Sequence, residues 1–410
     1  MNTLYLILEY PDARRDWNEW AEDDNRIDFR RCNPMEAARC TAAYAAGELK
    51  YFLERADSGL RVEVVSEVPV SAPSVQLITG QDDASGGGFD LIPGGTARQT
   101  VRGHGRNGLL NGVYELLRIQ GWRWLEPGVR GEVRPKTPTL DFLDVQASVR
   151  PSFRWRMIDQ YRDSDDSIPL LQWFSRQRVN VVFRKPATGR FADKLGMLSR
   201  RGGHLLQRLL DPDAAFGNGQ TLFDAHPEWF GLPENGIRSR ETVIAVQPCC
   251  SNTGLLEYLA KQLLDLLTGD MCDIDVLDVW GFDTLGKTCS CSECRKLGNG
   301  ADQNLYLLSN LFAKLEGALG RNIMLNTIAY KPTATLEPPT RPAPRNLVES
   351  GAFVIFYPIS RCYRHGLGDP ECEQNRSYRN ALVGWHQSVP ELSLWMGEYY
   401  NISFFQDLPL

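Results

Sequence analysis

The stretch IDVLDVWGFDTLGKTCSCSECRKL, residues 274–297, decides how the rest of the chain is read. Its apolar run from Val276 to Trp280 breaks at Gly281 and delivers Asp283 just past the break. Three cysteines, Cys289, Cys291 and Cys294, follow in a C-x-C-x-x-C spacing. A buried strand with a carboxylate at its C-terminal tip is how parallel α/β barrels present reactive groups. Asp283 is therefore the first candidate for a working acid, and the cysteines are candidates for a clamp on its loop.

Outward from this stretch the pattern is strand then helix, repeated, which predicts a parallel sheet. Strands are expected at 153–158, 179–183, weakly near His204, and at 276–280, 323–329, 353–357 and 392–396. Helices are expected between them at 168–177, 254–268, 301–319 and 374–387. That is seven strands of a (β/α)8 barrel that needs eight, so the closing strand and helix are expected to lie beyond this sequence. An open barrel would leave the edges of its first and seventh strands unpaired and make the chain poorly soluble by itself.

Upstream, residues 3–9 read as a strand, and Asn33 followed by Pro34 opens a helix with a cap and a first-turn proline. Ala38, Ala42, Ala45, Leu49 and Phe52 recur at helical spacing and carry that helix to about Arg55. Short strands follow at 61–65, 75–79, 89–92 and 99–101. A second helix begins near Arg106 and stops at Gly121. These elements make a small α/β domain over residues 1–148, with the barrel domain over 149–410; Pro135, Pro138 and Pro151 punctuate the passage.

The 410 residues are 42% hydrophobic, enough for ordinary cores, and the net charge is −6. No basic excess exists to neutralise phosphates, which argues against a nucleic-acid partner. No stretch approaches the roughly 20 apolar residues needed to span a bilayer, and no basic segment precedes an apolar one at the N-terminus. The protein is then expected in the cytoplasm if the chain begins at Met1, or in the periplasm or outside the cell if its true start lies upstream. Phosphate-loop, dinucleotide-binding, serine-hydrolase and H-E-x-x-H motifs are all missing.

The segment GLLNGVYELLRIQGWRWLEPG, residues 108–128, resembles the end of the small domain that precedes the barrel in α-glucuronidases and β-hexosaminidases. HPEWFGL (226–232), CCSN (249–252), the D-x5-C-x-C-x-x-C run from Asp283, the segment 357–370 with Cys362 and His365, and EYY (398–400) resemble, in that order, the domain of unknown function 4838. That domain includes glycoside hydrolase family 163, which acts as an endo-β-N-acetylglucosaminidase on N-glycans. The resemblance implies a retaining, substrate-assisted glycoside hydrolase on N-acetylglucosamine-containing glycans. A non-catalytic glycan-binding protein and an α-glucuronidase-like enzyme are the alternatives, the latter using Arg361 or Arg364 for a uronate.

Glycoside cleavage needs an acid for the leaving oxygen and a second carboxylate, or the substrate's own acetamide, to stabilise the oxocarbenium-like centre. Asp283 after the fourth strand and Glu398 after the seventh qualify by position, with Asp159 after the first as a weaker third. By analogy Glu398 is the expected general acid and Asp283 the group that orients the reacting sugar. A loop Asp that caps the next turn and a rim Glu that pairs with an arginine are the structural alternatives. His204 and His365 are candidate hydroxyl contacts, each also readable as a packed polar residue under a loop. Trp280, Tyr330, Tyr357, Tyr399 and Tyr400 stand at strand ends, where rings stack on pyranose faces. Cys249 or His365 could complete a tetrahedral structural zinc site with the three clustered cysteines, and a disulfide or free thiols are equally open. No catalytic cofactor is expected.

Overall fold

The computed structural model describes residues 2–8, 16–22, 27–67, 72–95, 97–158, 167–283 and 286–399. The chain divides into two compact units, Met1–Ser199 and Arg200–Leu410.

The first unit runs β1 (Asn2–Leu8), α1 (Trp17–Glu22), α2 (Pro34–Ala56), β2 (Leu60–Val65), β3 (Ser74–Gly80), β4 (Phe89–Pro93), β5 (Arg98–His104) and α3 (Gly105–Gln120). A short pair, β6 (Arg123–Trp124) and β7 (Glu132–Val133), precedes β8 (Ala147–Val149), α4 (Ile168–Arg176), β9 (Val181–Phe183) and α5 (Gly189–Lys194). The first sheet has the order β2-β1-β3-β5-β4-β8. It is parallel from β2 to β5 and antiparallel across β4.

The local causes of α2 and α3 are those the sequence announces. Asn33 accepts the Met35 N–H at 2.9 Å, Pro34 occupies the first turn, and Gly121 ends α3 at φ 114°. Leu4, Leu6 and Leu8 alternate into a core filled by Leu49, Phe52 and Leu53 of α2 and by Leu109, Leu110 and Val113 of α3. Helix α3 lies so close to the sheet that a Cβ on Gly108 would meet the Gly88 carbonyl oxygen at 2.2 Å. Under this core Arg176 donates to Glu48 at 3.0 Å, and Tyr114 donates to the same carboxylate.

The sheet's antiparallel edge carries a second charged network. Asp90 takes hydrogen bonds from Ser148 at 2.7 Å and Arg150 at 3.1 Å and lies 2.8 Å from His104 Nε2. Burial pushes the Asp90 carboxyl up, but these three partners outweigh it and hold it well below the usual carboxylate range.

The first barrel strand expected at 153–158 shrinks to one bridge, Met157 with Val181. Asn180 is the cause: its side chain accepts from Arg156 N and donates to the Arg154 carbonyl, so an amide side chain replaces ladder pairing. Strand β10 (Leu198–Arg201) is the weak third strand. It ends before His204 because Gly202 and Gly203 turn at φ 130° and 78°.

The second unit continues with α6 (Leu205–Leu209), α7 (Leu222–Ala225), α8 (Thr253–Thr268), β11 (Val276–Asp278), α9 (Ser292–Leu297), α10 (Gly300–Leu319) and β12 (Met324–Ala329). It ends with α11 (Arg345–Glu349), β13 (Phe353–Phe356), α12 (Glu373–Ser388) and β14 (Ser393–Met396). Strands β10 to β14 lie side by side in chain order and pair parallel throughout, as in part of a barrel wall. Among the described residues no helix is long and apolar enough to cross a membrane.

Side chains alternate across this sheet. Leu277, Leu325, Val354 and Phe356 face the helices, and Val276, Ile328, Phe353 and Ile355 form a separate cluster on the other face. That second face also carries charge. Arg200 Nε lies 2.7 Å from both oxygens of the fully buried Asp278 carboxylate, and Asn326 and the Gly203 N–H donate to it as well. Asn326 in turn accepts from Trp280 Nε1 at 2.8 Å.

Two outcomes are expected. Arg200→Met strands a buried carboxylate and should lower the unfolding free energy by about 3–5 kcal/mol, measured by urea denaturation. Asp90 is held low when folded, so its stabilisation is full above the unfolded value of about 3.9 and is lost as pH falls through the folded value. The melting-temperature gap between wild type and Asp90→Asn should therefore be constant near neutral pH and narrow below about pH 4. A gap that widens on acidification contradicts this.

Candidate functional site

The strand periodicity that builds the sheet also builds the site. The inward series Asp278, Asn326, Ile355 and Trp395 continues two residues at a time, through Ile328 in β12, to Trp280, Tyr330, Tyr357 and Tyr399 past the strand ends. Trp280 and Tyr357 meet edge to face at 5.6 Å and Tyr330 and Tyr357 at 6.3 Å, while the Tyr357 and Tyr399 rings are tilted at 5.5 Å. Trp280, Tyr330 and Tyr357 are only 7–8% exposed, so they form a floor with upward edges rather than an open stacking platform. Gly397 makes room for this floor: a Cβ there would meet the Tyr357 ring at 2.0 Å.

His204 stands over that floor, 5.3 Å from the Trp280 ring and 6.2 Å from Tyr330. Its Nδ1 lies 2.7 Å from the Gly281 carbonyl oxygen, which can only accept, so the ring proton sits on Nδ1. Nε2 then faces Asp283 Oδ1 at 3.8 Å. The Asp283 side chain is half exposed, and its backbone N–H is held by Gln207 Oε1 at 2.9 Å. One residue earlier, Phe282 exchanges two hydrogen bonds with the Gln247 side chain, at 2.9 and 3.1 Å. Asp283 thus sits on a loop gripped at consecutive peptides and presents its carboxyl to solvent beside a histidine.

Glu398 sits one residue past Gly397. Arg361 Nε donates to its Oε2 at 2.8 Å, and both side chains are largely buried. The Arg361 guanidinium lies 4.0 Å over the Tyr363 ring, and the Tyr363 hydroxyl accepts the Tyr399 N–H. Burial, and then the neighbouring Glu398 charge, pushes the Tyr363 phenol up. Glu398 thus stands just past the end of β14 and is paired with an arginine.

The structure brings together His204, Asp283, Trp280, Tyr330 and Tyr357, and it places Glu398, Arg361 and Tyr399 as one further group touching Tyr357. His365 turns its Nδ1 to Cys362 Sγ at 3.3 Å, with Cys372 close by. Tyr400 and Asp159 lie outside the described residues. Cys289, Cys291 and Cys294 gather with Cys249 rather than with His365.

Sequence reasoning did not single out Arg200, Asp278 and Asn326, because a polar residue inside a strand of three to six residues gives no sign of which partner it meets on another strand. It also passed over Lys331, which takes a left-handed φ of 59° at the start of a single π-turn, Lys331–Thr335, directly after Tyr330. Its Nζ lies 4.5 Å from the Tyr330 ring. The proline and threonines around it were the available signal. A cavity of about 40 Å³ beside this turn, lined by Gln247, Phe282, Gln303, Asn304 and Lys331, has room for water but not for a sugar ring.

Comparison with solved structures finds a family GH138 enzyme targeting pectin rhamnogalacturonan II, at 13% identity and TM-score 0.46 over 96% of this chain. This chain spans 58% of that one. The β-N-acetylhexosaminidase from Bacteroides fragilis is similar at 12% identity and TM-score 0.45, over 98% of this chain and 71% of that one. The GH20 β-N-acetylhexosaminidase from Streptomyces coelicolor is similar at 13% identity and TM-score 0.47, over 90% and 72%. Comparison with curated proteins finds no match. The family model described as Domain of unknown function (DUF4838) matches residues 127–408, well over half of the sequence, and the chain belongs to that family.

Proposed function

We propose that the protein is a glycoside hydrolase acting on glycans that contain N-acetylglucosamine, by a retaining, substrate-assisted route. One observation carries the reading: two carboxyl groups, Asp283 beside His204 and Glu398 held by Arg361, stand at the C-terminal ends of parallel strands around an aromatic floor. The residue class of the sugar comes from the resemblance of the strand-end segments to endo-β-N-acetylglucosaminidases.

The geometry favours one division of labour. The Glu398 oxygen that accepts the Arg361 N–H is an acceptor and suits a group that receives the acetamide N–H and faces developing positive charge. Asp283, solvent-reachable and beside His204 Nε2, is then the proton donor to the leaving oxygen. As the C1–O bond breaks, that oxygen takes the Asp283 proton and the acetamide oxygen bonds to C1. Asp283, now a carboxylate, next takes a proton from water as the water opens the cyclic intermediate. This reverses the roles expected by analogy. The α-glucuronidase-like alternative needs a cation turned to a uronate; Arg361 is engaged with Glu398, which leaves the exposed Arg364 as its candidate.

Asp283→Asn should cut kcat/KM on an N-glycan by about 10²–10⁴-fold, and much less on an activated aryl glycoside whose leaving group needs no proton. Glu398→Gln should slow both substrates alike. The opposite pattern restores Glu398 as the acid, unchanged rates in both variants remove both carboxyls from the mechanism, and intact glycan by mass spectrometry with wild type sinks the enzyme reading in favour of a binding protein. Gly397→Ala drives a methyl into the Tyr357 ring and should cost about 10²-fold in kcat/KM while the protein still folds, checked by circular dichroism alongside the assay.

A further inference from the structure

The cysteine cluster lies in the packed core of the second unit, with Cys249, Cys289 and Cys294 among its buried residues and Cys291 against it. Four sulfurs, those of Cys249, Cys289, Cys291 and Cys294, all lie within 4.8 Å of one another. Cys249 Sγ is 3.8 Å from Cys291 Sγ and 3.8 Å from Cys294 Sγ. A tetrahedron of thiolates around zinc, with Zn–S of about 2.3 Å, has edges of about 3.8 Å. A disulfide would bring two sulfurs to about 2.05 Å, and all four cysteines are free.

The backbone is arranged for anionic sulfur. Leu232 N–H donates to Cys289 Sγ at 3.2 Å, and Cys294 N–H donates to Cys291 Sγ at 3.4 Å, where Cys291 caps α9. Hydrogen bonds of this kind stabilise thiolates and orient them as metal ligands. Cys289 and Cys294 are fully buried and Cys249 nearly so, a costly place for charged sulfur unless a cation neutralises it.

We propose that Cys249, Cys289, Cys291 and Cys294 form a tetrathiolate site for one zinc ion with a structural role. With all four positions filled by sulfur, nothing is left for water or substrate, so the site is not catalytic. Cys250, whose sulfur contacts Cys294 at 3.5 Å, stands outside the four and is not a ligand.

The site has a purpose in the fold. Three loops meet at it. Cys249 N–H donates to the Trp229 carbonyl, Gln247 N–H to the Lys287 carbonyl, and Ser290 N–H to the Leu232 carbonyl. Two residues before Cys249, Gln247 grips Phe282, the neighbour of Asp283. The metal thereby locks the loop that carries Asp283, whatever reaction or ligand that loop serves.

The test is to purify the protein under reducing conditions, desalt it and measure metal by plasma mass spectrometry. About one zinc per chain is expected. Titrating with a mercurial in the presence of a zinc chromophore should release that zinc as four thiols react, and cobalt-loaded protein should show thiolate-to-cobalt charge-transfer bands. Cys289→Ser should lose zinc and Cys250→Ser should keep it. Should Cys289→Ser fail to fold, the mercurial titration of wild type decides by itself. Metal-free protein that melts at the same temperature with and without added zinc overturns the proposal, as does an intact mass showing disulfides among these four cysteines.

Discussion

The ion pair between Arg200 and Asp278 is the constraint on which the second unit's inner face depends. It joins β10 to β11, and Asn326 of β12 extends it to a third strand. A fully buried carboxylate is tolerated only when its oxygens are satisfied, and here the guanidinium, an amide and a backbone N–H do so. Because Asn326 also receives the Trp280 indole N–H, the same network orients one ring of the aromatic floor, Trp280. Electrostatic satisfaction inside the sheet is thereby converted into a defined surface at its C-terminal edge.

Steric vacancies complete what the network begins. Gly202 turns the chain where a side chain would strike Asp278, and so brings His204 back over Trp280. Gly397 leaves space for Tyr357. The loop of Asp283 is held by Gln207 of α6 and by Gln247, two amide side chains remote from each other in sequence, in addition to the buried Phe282 ring. Site residues on loops gain their precision in this way, from directional bonds to neighbours that are themselves fixed.

Much of the fold was legible in local pattern. The expected helices 254–268, 301–319 and 374–387 appear as Thr253–Thr268, Gly300–Leu319 and Glu373–Ser388, because apolar spacing and capping residues act within one turn. The strands at 276, 323 and 353 appear within a few residues of their places for the same reason. The strand expected at 153–158 shrank to one bridge, since the Asn180 side chain captured the Arg156 N–H and the Arg154 carbonyl, contacts remote in sequence. Of the candidate site, the strand-end positions of Asp283, Glu398, Trp280 and the tyrosines were legible, because a strand's end is a local event. Their partners were not.

The sequence by itself determined the alternation of strands and helices, their caps and breaks, and which residues would stand at the C-terminal tips. Those properties depend on backbone sterics and the period of apolar residues over a few positions. Only the tertiary structure decided that Arg361 takes Glu398, that His204 faces Asp283, and that Cys249 rather than His365 joins the clustered cysteines. Each of these pairs joins residues about 37 to 79 positions apart, or, for Cys249, some 40 from its partners. Which of several equivalent arginines, histidines or thiols meets a given group over such a span is set by strand register and helix packing, and no local pattern encodes it.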